Sequence, residues 1–161
     1  MKRLLPLTLL LAAVATPVAA DMFKDLKETA KQTATQKAAE KLNLPTAAPV
    51  NAKVYLIAPA NGATVSSPVK VVFGLSGAGV APAGVQKENT GHHHLLIDQP
   101  TYDATLPLPA TDQIKHFGGG QTEALLDLKP GKHTLQLMFA DWKHQPFNPA
   151  VVSEQITLTV K

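Results

Sequence analysis

The chain has 161 residues, 15 Lys and Arg against 12 Asp and Glu, six histidines and no cysteine. That length suits one ordinary domain plus a targeting segment. The absence of thiols excludes disulfides, thiolate metal ligands, a cysteine nucleophile and a lipobox anchor.

The N-terminus, MKRLLPLTLLLAAVATPVAA, sets Lys2 and Arg3 before an apolar run from Leu4 to Val14, then small residues at Val18-Ala19-Ala20. This pattern reads as a secretory signal peptide over residues 1–20, cut between Ala20 and Asp21. The apolar run is too short for a membrane span. A bacterial periplasm is the expected location, with secretion as the alternative. Without disulfides, an exported fold stands on its core alone. Removing Lys2 and Arg3 leaves 13 basic against 12 acidic residues, a net charge of +1. No basic patch points to nucleic acid, and the mature chain shows no membrane-spanning stretch.

Residues 21–44, DMFKDLKETAKQTATQKAAEKLNL, contain neither Gly nor Pro. Phe23, Leu26, Ala30, Ala34, Ala38 and Leu42 recur at spacings of three and four, a weak helical stripe. Lys24 and Glu28 sit at i and i+4 and can pair on its surface. One exposed helix is expected. It is either a solvated spacer, since small side chains bury little area, or an element that docks on the domain or on a partner. Pro45 ends it, and residues 45–51 form a linker.

From residue 52 to 161 the period becomes two. KVYLIAP is an apolar strand, NGATVSSP a turn, and VKVVFGLSG puts Val69, Val71, Phe73 and Leu75 on one face. A Gly/Pro loop leads to HHHLLID, then to a proline-rich irregular stretch with room for one short edge strand. QTEALLDL, the KPG turn and KHTLQLMFAD follow, the last with Leu135, Leu137 and Phe139 on one side. WKHQPFNPA reads as a loop. VVSEQITLTVK closes the chain with Val152, Ile156, Leu158 and Val160 on one face, broken by Glu154. Six or seven short strands with no helix between them predict an all-β, immunoglobulin-like antiparallel sandwich, with strands A, B, C, an irregular C′/D region, E, F and G.

All six histidines fall between residues 92 and 144. Without thiolates, neutral imidazole is the available soft ligand, suited to copper, zinc or nickel. In the expected sandwich the B–C, D–E and F–G loops gather at one pole. That pole would collect the HHH triplet, His116 ahead of strand E, and Asp141 and His144 after strand F. His133, after the KPG turn, lies at the opposite end and reads as structural. Within the triplet, His92 and His94 share one strand face, while His93 shares the other with Leu95 and Ile97. The candidate metal ligands are therefore His92, His94, His116 and His144, with His93 as alternate. Asp141 is a fifth ligand, an acceptor holding an imidazole tautomer, or simply the cap of its turn. Gly118–Gly120 would let their loop approach closely.

The competing reading is a polar pole with no metal. Trp142 and Gln121 would then form a surface for a cell-envelope glycan or a protein. No nucleophile elbow or triad is visible, so no enzyme activity is expected. A metal-dependent hydrolase would need an open coordination position and a base such as Glu123.

The segments NGATVSSPVKVVFGLSGAGVAPAG, NTGHHHLLID, HFGGGQTE, PGKHTLQLMFAD and VVSEQITLTV together resemble an uncharacterised bacterial family, domain of unknown function 4399. The resemblance covers about residues 52–161 and implies an exported, β-rich, immunoglobulin-like domain without assigning an activity. The family pattern carries a histidine after the proline of the F–G loop. Here that position is Phe147, which removes one potential ligand. The leading expectation is a periplasmic, non-catalytic binding module holding copper or zinc.

Overall fold

The computed structural model describes residues 17–42 and 44–161, which form two compact units divided between Leu42 and Asn43. Most of the expected signal peptide lies outside the described residues. Helix α1 spans Pro17–Lys41, so it begins before the expected cut at Ala20 and stops short of the expected end at residue 44. Its last hydrogen bond runs from the Leu42 N–H to the Ala38 carbonyl. Pro45 disfavours helical geometry at Leu44, which excludes the expected end at residue 44. Met22, Phe23 and Leu26 are exposed, as the sparse stripe of small residues implies. Thr29, Thr33 and Thr35 return their hydroxyls to carbonyls four residues earlier, a local satisfaction that needs no partner surface. Among the described residues no helix is long and apolar enough to cross a membrane.

The second unit is a β-sandwich, antiparallel except for the two-residue parallel pairings of β2 with β10 and β4 with β5. In chain order its strands are β1 (Lys53–Ala58), β2 (Thr64–Val65), β3 (Val69–Ser76), β4 (Gly79–Val80), β5 (Thr90–Ile97), β6 (Ile114–Phe117), β7 (Glu123–Leu126), β8 (Gly131–Ala140), β9 (Pro146–Val152) and β10 (Ile156–Val160). One sheet is ordered β1-β3-β7. The other is ordered β2-β10-β8-β5-β4, with β6 also on β5 and β9 also on β8. Between the sheets Val69, Val71 and Phe73 meet Leu95, Leu135, Leu137, Phe139 and Leu158. These are the alternate positions that strand parity selects, because an antiparallel sheet covered on one face buries every second side chain.

Strand β5 departs from that alternation: every residue from Gly91 to Ile97 is buried. Its inner face, His93, Leu95 and Ile97, looks into the sandwich. On its outer face Leu96 joins Leu108, Ile114, Met138 and Ala140 in a second apolar cluster. The irregular stretch after β5 supplies Leu108 and so roofs that outer face.

The structure departs from four of the expectations. His116 is not in a loop before strand E but on β6, a four-residue strand hydrogen-bonded to β5. So short a run, closed by glycines, carries too few residues to display a period. WKHQPFNPA is not wholly a loop, since Pro146–Val152 forms β9 beside β8. Its prolines are tolerated because Pro146 opens the strand and the pairing shifts register between Phe139 and Ala140. The C-terminal run is two strands, and Val152 is exposed while Val151 is buried, so Val152 does not share the core face of β10. The stretch read as a linker is also tied down: Ala47 bridges Asn148 in parallel.

Candidate metal centre

The histidine cluster is assembled by sheet register. His92 and His94 alternate with His93 along β5, and β6 places His116 directly across from His94. On the other side, β8 sets Ala140 opposite His92 and Met138 opposite His94. These small and apolar neighbours leave the space above the outer face to imidazoles. The fourth ring comes from the turn after β8. There His144 has φ 68°, a left-handed conformation that costs an ordinary residue roughly 1–2 kcal/mol.

One ring nitrogen from each of His92, His94, His116 and His144 lies within 4.8 Å of the other three. The Nε2 atoms of His92 and His94 are 3.0 Å apart. The ring centroids of His116 and His144 are 4.5 Å apart, and each lies 5.0 Å from that of His92. Metal–imidazole bonds of about 2.0–2.1 Å put tetrahedral nitrogens roughly 3.3 Å apart, so the widest-spaced nitrogens need to close by up to about 1.5 Å, while His92 and His94 are already within that spacing. The four residues meet on the outer face of the larger sheet, beside the turn that ends β8, rather than in three loops at a pole. The convergence inferred from loop positions is present, but a strand pairing produces half of it.

Burial sets the protonation state. His92 and His94 are fully buried, and desolvation, reinforced by the neighbouring imidazoles, lowers their pKa values to about 4 and about 3. His116 is lowered by desolvation and by His144. At neutral pH these rings are neutral, the form that ligates a cation. Neutral rings also need partners. A hydrogen bond between the two Nε2 atoms requires one ring to donate and the other to accept. Nδ1 of both rings and Nε2 of His116 are buried without a hydrogen-bond partner. Orphaned polar atoms of this kind cost about 1–3 kcal/mol each and mark a place organised for something other than apolar packing.

The remaining candidates separate cleanly. His93 is inside the sandwich, its ring centroid 5.3 Å from Phe73 and 5.4 Å from Phe139, and neither nitrogen has a partner. Desolvation lowers its pKa to about 4. It is not in the cluster. The Asp141 carboxylate is 1% exposed and occupied: Oδ1 accepts from the N–H groups of Lys143 and Gln145, and Oδ2 from the Thr46 hydroxyl. It caps the turn. Trp142 is half-buried with the Lys143 ammonium 5.7 Å from its ring centroid. Gln121 is exposed and accepts the Gly119 N–H. Glu123 is on the other sheet, paired with Lys70. Phe147 stacks on Phe139 in the core.

A Cβ on Gly118 would overlap the His116 imidazole at Cε1 and Nε2. Gly118→Ala therefore displaces that ring, and metal affinity measured by titration should fall about tenfold, the loss typical of disturbing a ligand's support. His133 stands apart from the cluster, its Nδ1 2.9 Å from Asp98 Oδ2 and its Nε2 2.9 Å from the Lys129 carbonyl. Two acceptors favour the imidazolium, so the Lys129 carbonyl and Asp98 raise its pKa. His133→Ala should lower the melting temperature by several degrees, about 1–2 kcal/mol, and leave metal affinity unchanged.

A family model described as Domain of unknown function (DUF4399) matches residues 71–161, more than half of the chain. No curated protein matches. Among solved structures, an endo-beta-1,4-mannanase from Thermotoga petrophila is similar with a TM-score of 0.40 and 17% sequence identity, covering 69% of this chain and 20% of that one. The match to the family begins at Val71, inside β3, and contains all four clustered histidines.

Proposed function

The chain belongs to the DUF4399 family, a domain of unknown function, and we propose that it is a non-catalytic module that holds one transition-metal ion, copper or zinc. The observation that carries this reading is the set of four imidazoles, drawn from β5, β6 and the turn after β8, whose nitrogens lie within 4.8 Å of one another. Two of the rings are fully buried and kept neutral. An all-imidazole donor set suits copper and zinc, and copper(II) binds nitrogen donors most strongly in the divalent series. No carboxylate belongs to the cluster, which argues against calcium or magnesium, both of which prefer oxygen ligands. The same feature weighs against a hydrolytic centre, since the acid–base residue suggested for it, Glu123, belongs to the other sheet. The signal-like N-terminus supports a periplasmic site of action. Binding of a glycan or protein through Trp142 and Gln121 is the weaker reading, because the tryptophan is half-buried under its neighbouring lysine.

The test is elemental analysis and titration of the mature chain purified without a tag. A stoichiometric ion bound below about 10 μM, or about −7 kcal/mol, is expected. Failure of both copper and zinc to bind at that level overturns the reading.

A further inference from the structure

His144 reaches the cluster from a turn held against its own backbone preference. A residue with φ 68° stays there only where surrounding bonds over-determine it. Those bonds converge on Asp141. Its Oδ1 accepts the N–H groups of Lys143 and Gln145 at 2.8 and 3.0 Å. Its own N–H donates to the Gln145 carbonyl, and its carbonyl accepts the His144 N–H, both at 2.9 Å. The His144 carbonyl is in turn taken by the Leu108 N–H at 2.8 Å.

One carboxylate oxygen thus serves the whole turn. The other, Oδ2, accepts the Thr46 hydroxyl at 2.6 Å. Asp141 is 1% exposed, so little water is available to replace that donor. Thr46 is 95 residues away in sequence and outside the family match. It sits on a strap fastened by Asn148, whose N–H donates to the Thr46 carbonyl at 2.8 Å and whose carbonyl accepts the Ala48 N–H at 3.1 Å.

We infer that Thr46 is a positioning residue for the metal centre: its hydroxyl fixes the Asp141 carboxylate, and through it the turn that presents His144. This rests on the four-imidazole reading. The strap ahead of β1 is accordingly part of the site's support and not a passive tether.

The test titrates the mature wild-type chain and its Thr46→Val, Thr46→Ser and Asp141→Asn variants with copper(II) alone. Affinity, the nitrogen coupling pattern in electron paramagnetic resonance, and the melting temperature before copper addition are read together. Thr46→Val should bind about tenfold more weakly and show three coordinating nitrogens in place of four, while Thr46→Ser restores both. Asp141→Asn should lose the same nitrogen. Unchanged affinity with four nitrogens in Thr46→Val overturns the inference, as does a loss that Thr46→Ser fails to restore. Should Thr46→Val melt below the assay temperature, Asp141→Asn decides alone: three nitrogens support the inference and four overturn it. A wild-type chain that binds neither copper nor, in a parallel titration, zinc overturns the four-imidazole reading itself, a result distinct from any difference among variants.

Discussion

Replacing His94 by alanine should lower the affinity of the mature chain for copper(II) or zinc by about a hundredfold or more. Structural metal sites are worth about 10–16 kcal/mol over four ligands, so one ligand carries roughly 3 kcal/mol. His94 is a fully buried member of the cluster. Its Nε2 is 3.0 Å from that of His92, and its ring centroid is 5.0 Å from that of His116 and 6.0 Å from that of His144. The fold should suffer much less. The substitution leaves a small cavity and strips His92 Nε2 of its partner, but also removes a buried Nδ1 that has none. These effects oppose, leaving a stability change of about 1–2 kcal/mol. His93→Ala gives the mirror image. Its ring fills space between Phe73 and Phe139, so stability drops by about 2–4 kcal/mol while metal affinity holds. Calorimetric titration and thermal melts on both variants check this. Affinity within threefold of wild type for His94→Ala, or a loss shared equally by His93→Ala, contradicts the assignment of faces.

The second large effect is on stability in acid. Without metal, the domain should be fully stable at pH 7 and lose stability as pH falls from about 6.5. The sign follows from proton counting. His92 and His93 have folded pKa values near 4 and His94 near 3, against 6.5 for the unfolded chain. Between those limits the unfolded state binds more protons, so falling pH favours it. Each pKa unit corresponds to about 1.4 kcal/mol, so three values lowered by about 2.5 or more put the total loss by pH 4 on the order of 10 kcal/mol, comparable to a domain's whole stability. His133 works in the opposite sense: its raised pKa contributes stability below its unfolded value that is lost as pH rises, so it does not cause the acid loss. Metal affinity should decline over the same range because protons compete for the same nitrogens. Circular-dichroism melts at pH 7.5 and pH 4.5 measure the effect, and equal melting temperatures would contradict it.

Much of the fold was legible because burial follows strand parity. Val69, Val71, Phe73, Leu135, Leu137 and Phe139 could be placed facing the core from their spacing alone. The separation of His93 from His92 and His94 follows from the same alternation. What parity cannot reveal is pairing between distant segments. β6 offers only Ile114, Lys115, His116 and Phe117, and the reason they form a strand lies in the open edge of β5 and the apolar pocket around Ile114. β9 was obscured by its prolines, since local composition opposes a strand that tertiary contact permits. The Thr46–Asp141 bond spans almost the whole domain, and threonine in a proline-flanked stretch carries no signal of it. The position of His144 was legible as a turn, but its left-handed backbone was not, because histidine is no marker of that conformation.

Strand β5 faces the sandwich interior on one side and the imidazole cluster on the other. Its register is therefore read twice. A slip by a single residue would turn His93 outward and drive His92 and His94 in among phenylalanines, exchanging the two sets of side chains wholesale. No misregistered state can keep a sound hydrophobic interior and surrender only the ligands, or the reverse. Deleting or inserting one residue between Thr90 and Ile97 should accordingly abolish folding and binding together. The cluster's composition is thus a selection pressure for correct folding, independent of any ion it holds.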